Sequence, residues 1–168
     1  GLPPQLAEKL TREAAGALMK DSALASFQLL NGLSPTPKTD EMLRQAAMQL
    51  ASANLDAAKD WAKLQTDDAT GQLLWSAIAT VMGNDDPQLA VNVALEHLQD
   101  PGLRDRALVE IIQRWMQVDV SAAAACAVTL DGDAGIAAAN AVASHWSRIS
   151  PVNCESWIWT IKSPELKT

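Results

Sequence analysis

Tyrosine is absent from this 168-residue chain, phenylalanine occurs once, at Phe27, and cysteine twice, at Cys126 and Cys154. Two distant cysteines with no CxxC spacing argue against a disulfide framework or a thiolate metal site, and they read as small buried residues. No run of about 18 apolar residues occurs, so no transmembrane helix is expected. Basic residues are the minority, 13 against 20 acidic ones for a formal charge of −7, and such a chain repels the phosphates of nucleic acid and of anionic membranes.

The motifs of catalysis are missing as well. The only histidines are His97 and His145, and neither has a carboxylate or cysteine at metal-ligand spacing; Glu96 is a sequence neighbour expected to face another way. There is no Gly-x-Ser-x-Gly elbow, no Ser/His/Asp constellation and no glycine-rich phosphate loop. Acidic pairs stand at Asp67-Asp68, Asp85-Asp86 and Asp131-Gly132-Asp133. Each falls in a turn and lacks the further ligands of a calcium loop, and separate turns do not converge as a catalytic pair. The expectation is a chain that is not an enzyme and uses no cofactor and no metal.

What the chain does contain is 48% apolar residues, dominated by alanine and leucine, and six tryptophans. Alanine and leucine favour helix, so the fold class expected is all-α. A pattern repeats around Ser22, Leu55, Pro87, Val120 and Pro151, which are separated by 33, 32, 33 and 31 residues. Five places before these anchors stand Ala17, Leu50, Met82, Trp115 and Trp146, each closing an i, i+3, i+4, i+7 apolar stripe such as Leu108, Ile111, Ile112, Trp115. Three places after them come the small residues Ala25, Ala58, Ala90, Ala123 and Cys154. A large side chain before the break and a small one after it make a knob and a socket between two helices. Asp86, Asp119 and Ser150 suit N-caps, with Pro87 and Pro151 at the first helical position.

Self-similarity at this period marks stacked helical hairpins. The expected fold is a right-handed α-solenoid of antiparallel hairpins, about 32 residues per repeat. Residues 1–168 are read as one helical-repeat domain, a fragment of a longer chain because GLPPQLAEKL starts without Met. The segments between hairpins are NGLSPTPKTD (31–40, the widest, a candidate hinge), QTDDATG, QDPGL, LDGDAG and KSPE. Helices are expected over residues 4–19 and 152–161 at the two ends.

Met82…Asp86-Pro87…Ala90, Trp115…Asp119…Ala122-Ala123 and Trp146…Pro151…Trp157 carry a resemblance to tetratricopeptide-like α-solenoids. Within them it is nearest to the alanine- and tryptophan-rich bacterial helical-repeat proteins. Ile111-Ile112 stands where the tetratricopeptide class has Leu-Gly. The resemblance implies a scaffold that holds a peptide or another domain in a groove.

Six tryptophans divide by register. Trp75, Trp115 and Trp146 belong to the inward stripe, Trp61 and Trp157 share a second core position with Val93 and Cys126, and Trp159 falls out of register on an exposed or partner-covered surface. Polar positions beside the closing residues form a ladder: Gln49, Ser52, Asn84, Arg114, Gln117, His145 and Arg148. With Trp159 these are the candidate partner-binding residues, and the arginines near the C-terminal half suit an acidic segment. The function expected is a non-catalytic protein–protein interaction scaffold binding a protein or peptide partner in its groove. The alternative is a structural helical domain appended to an enzyme or membrane-anchored protein. Trp157, Ile158, Trp159 and Ile161 are too apolar for a solvent-facing last helix, so either the chain continues beyond it or that end packs on itself or a neighbour, self-association included.

Overall fold

A computed structural model describes residues 3–65 and 69–161. Among the described residues the regular elements are helices: α1 (Pro4–Leu18), α2 (Ala23–Asn31), α3 (Pro37–Ala53), α4 (Leu55–Lys63), α5 (Ala69–Met82), α6 (Pro87–His97), α7 (Pro101–Trp115), α8 (Val120–Ala127), α9 (Gly132–Ile149) and α10 (Pro151–Thr160). The class is all-α, and none of these helices is long and apolar enough to cross a membrane.

One local device joins each odd-numbered helix to the next. Ser22, Asn54, Asp86, Asp119 and Ser150 hold nearly the same conformation, φ between −137° and −155° and ψ between 86° and 94°. Their N–H groups donate back to the carbonyls of Leu18, Leu50, Met82, Trp115 and Trp146 at 2.7 to 3.0 Å, closing the outgoing helix. Their side chains open the incoming one, since the first N–H groups of a helix have no internal acceptor. Ser22 accepts from Ala25, Asn54 from Ala57, Asp86 from Leu89 and Asp119 from Ala122. Ser150 makes no such bond, although Pro151 takes the first helical position as expected.

The first bend corrects the register by one residue. Ser22 is itself the cap, so α2 starts at Ala23, the closing residue is Leu18 instead of Ala17, and the small buried residue is Ser26 instead of Ala25. The break expected over 31–40 is also shorter: α2 continues to Asn31, and Thr36 already caps α3 by accepting from the Thr39 N–H at 3.1 Å. KSPE lies outside the described residues.

The chain divides into two compact units, Gly1–Val81 and Met82–Thr168. In the first, α1 packs on α2, α2 on α3 and α3 on α4. Phe27, Leu30, Ala46, Ala47 and Leu50 are buried there, and the Trp61 ring meets Phe27 edge-on at 5.3 Å. Ser26 donates its hydroxyl to the Ala15 carbonyl of α1 at 2.8 Å, which satisfies a fully buried polar group.

In the second unit α6 packs on α7, α7 on α8 and α9, α8 on α9, and α9 on α10. Leu108, Ile111, Ile112 and Val142 fill its interior. Cys154 repeats the role of Ser26, its thiol 3.6 Å from the Ala143 carbonyl. Trp146 is buried against Trp157, ring centroids 5.9 Å apart. Trp115 departs from the expected stripe: it is half-buried, and Met116 beside it takes the interior.

Two glycines mark close approach. A Cβ on Gly71 would run into the carbonyl of Gln65, and one on Gly135 into the carbonyl of Leu130, so the first turns of α5 and α9 lie on backbone. Gly132 differs, having open space but a φ of 64°.

Two outcomes follow for stability. Trp146→Ala should lower the unfolding free energy in urea by about 3–5 kcal/mol and Trp115→Ala by about 1–3 kcal/mol, reflecting the buried volume each removes. The reverse order would contradict the packing described. Gly135→Ala should cost about 1–3 kcal/mol because backbone has to move; a neutral effect in the same urea titration would mean that α9 can lift off its linker freely.

Candidate functional site

Counted from each closing residue, the sequence-predicted ladder occupies the place one before and the place two after. Within an α-helix these join places five, six and nine before it into one stripe. On α7 that stripe is Gln117, Arg114, Glu110, Val109 and Arg106; on α3 it is Ser52, Gln49, Gln45, Arg44 and Glu41. Gln49, Ser52, Asn84, Gln117 and Arg148 are exposed, while Arg114 and His145 are half-buried. Trp159 is 77% exposed.

The structure brings two of these residues together. Arg114 Nη1 donates to Asn84 Oδ1 at 3.3 Å, across 30 residues of sequence, and Arg114 Nη2 pairs with Glu110 Oε1 at 2.6 Å. Arg114 is therefore held in place and largely neutralised, which removes much of the basic character that the sequence suggested. Arg148 turns back onto its own helix, its Nε 3.1 Å from the Ser144 carbonyl. On α3 the stripe is also internally bonded: Glu41 accepts from Gln45 at 3.0 Å and pairs with Arg44. Those hydrogen bonds, Gln45 first and then Arg44, hold the Glu41 carboxyl below the usual range.

In the second unit this stripe opens onto a cleft of about 600 Å³ between α7 and α9. Val109, Ala134 and Ala137 line it with apolar surface, and Asp105, Arg106, Glu110, Gln113 and Asp133 supply polar groups. Three carboxylates face one guanidinium. Asp105 lies 3.5 Å from Arg104 and Glu110 holds Arg114. Sequence reading took Arg114 as part of a site and passed over Glu110, although i, i+4 spacing was the available signal.

Other chemistry-bearing residues have structural roles. Cys126 and Cys154 are free and buried, and burial pushes the Cys126 thiol up, away from the reactive thiolate. His97 Nε2 lies 3.9 Å from Glu96 Oε1, so the two do not face apart as expected. Asp86 caps α6, Asp131 precedes α9, and Asp67-Asp68 lies outside the described residues. Among the described residues no three of His, Cys, Asp and Glu gather as a metal site. No protein-family model, curated protein or solved structure matches the chain.

Because both side chains of the Arg114–Glu110 pair keep about two-fifths of their surface in solvent, Arg114→Gln should change stability by about 0–1 kcal/mol. Thermal unfolding checks this; a loss well beyond that range would mean that Arg114 is a structural tie between Asn84 and α7, not a surface group.

Proposed function

We propose that this chain is a non-catalytic interaction scaffold, a right-handed α-solenoid of helix hairpins that holds a peptide or protein segment against its odd-numbered helices. The single observation that carries the reading is the cleft between α7 and α9, with its apolar floor and charged rim. Support for the solenoid comes from the five bends: they lie 32, 32, 33 and 31 residues apart and share one backbone conformation. The resemblance to tetratricopeptide-like repeats belongs to the same proposal.

The cleft also refines the partner. Asp105 lies against Arg104 and Glu110 is paired with Arg114, which leaves Asp133 and Arg106 as opposite charges beside the cleft, so the complementary segment is recognised by an aliphatic side chain that fits over Val109 and Ala137 rather than by its net charge. This replaces the acidic segment suggested by the ladder alone.

Selection from a random peptide library on the immobilised chain tests the reading. Peptides sharing an aliphatic residue should be enriched, and Ala137→Arg, at an exposed position in the cleft, should weaken them at least about tenfold, or 1.4 kcal/mol. No enrichment, or binding indifferent to Ala137→Arg, would overturn it.

A further inference from the structure

The charges around the cleft between α7 and α9 fall into two kinds. Asp105 lies 3.5 Å from Arg104, and Glu110 accepts from Arg114 at 2.6 Å, so each of these carboxylates already faces a cation of its own helix. Arg106 and Asp133 differ. Both line the cleft and both are exposed, and among the described residues neither forms an ion pair. They also stand on opposite walls, Arg106 on α7 and Asp133 in the first turn of α9.

The surface next to each is aliphatic. Val109 follows Arg106 by three residues and Ala137 follows Asp133 by four, the spacings that put two side chains together on one helix face. Each wall therefore joins one open charge to one aliphatic contact, and the two walls are opposite in sign.

We infer that the segment held in this cleft carries an acidic side chain for Arg106 and a basic one for Asp133, on either side of the aliphatic residue that covers Val109 and Ala137. This rests on the scaffold reading above and adds a charge arrangement to it, neutral in sum but polarised across the cleft. A segment with two like charges satisfies one wall and is repelled by the other. The planar guanidinium of Arg106 suits a carboxylate, to which it can donate two parallel hydrogen bonds. Exposed ion pairs add little affinity because water screens them. The aliphatic contact thus sets how tightly a segment binds, and the two charges set which segment binds.

Peptides built on the strongest library sequence read the outcome, with Glu and Lys (in both orders), two Glu or two Lys flanking the aliphatic residue. At low salt the better mixed peptide should bind the immobilised chain at least about threefold more tightly than either like-charged one, the range an exposed ion pair provides. Arg106→Glu should move the preference to the two-Lys peptide and Asp133→Lys to the two-Glu peptide. The double variant should return it to a mixed peptide. Helicity by circular dichroism should stay unchanged throughout, because both positions are exposed. Equal binding of all the peptides, or a preference that neither substitution moves, overturns the inference and leaves the scaffold reading standing. A library that yields no aliphatic peptide overturns both.

Discussion

Two helices joined through a single extended residue must lie close together, and they can do so only where at least one presents a side chain little larger than a methyl group. Ser26, Ala58, Ala90, Ala123 and Cys154 occupy that place, and all five are buried. At two of them the facing carbonyl accepts a hydrogen bond, Ala15 from Ser26 and Ala143 from Cys154. A hydroxyl or thiol is therefore tolerated without leaving a polar group unmet. The size of the closing residue follows from the same constraint. The closing residues Leu50 of α3 and Trp146 of α9 are buried at the same bends.

Much of this was legible because it rests on local chemistry. A cap-forming Asp, Asn or Ser followed by Pro or a small-residue run states where one helix ends and the next begins. The first bend was misread because its sequence, MKDSALAS, offers two small residues in succession, Ala25 and Ser26, and burial selects the polar one. Propensity disfavours a serine in that place, and only the Ala15 carbonyl on the partner helix explains it. Trp115 was misplaced for a related reason. Trp115 and Met116 are adjacent large apolar residues, about 100° apart around a helix, and which of them points inward is decided by tertiary packing.

The polar stripe was found, but its chemistry was not. Taken singly, Arg114 and Arg148 read as a basic site. The helix joins residues four apart, so Glu110 and Arg114 form one neutral group. The Asn84 bond then fixes that group across 30 residues of sequence, which no periodicity reveals. The cleft itself depends on α7 and α9 lying side by side, and it is made largely of residues, Val109, Ala134 and Ala137 among them, that looked unremarkable in the chain.

The cleft and the buried packing of α7 and α9 use different sides of each helix. The cleft stripe of an odd-numbered helix lies one, five and nine places before its closing residue; the layer-packing stripe lies four and eight places before it. On α7 the first is Arg114, Glu110 and Arg106, and the second is Ile111 and Ala107. A step of one residue turns about 100° around the axis, so the two stripes point well apart. Their chemistry agrees with this separation, being charged on the first and apolar on the second. A charge placed on the layer stripe would lie in the interior with no water to solvate it, whereas a charge on the cleft stripe remains in solvent. The acidic excess of the chain is left by this logic to the faces that remain open.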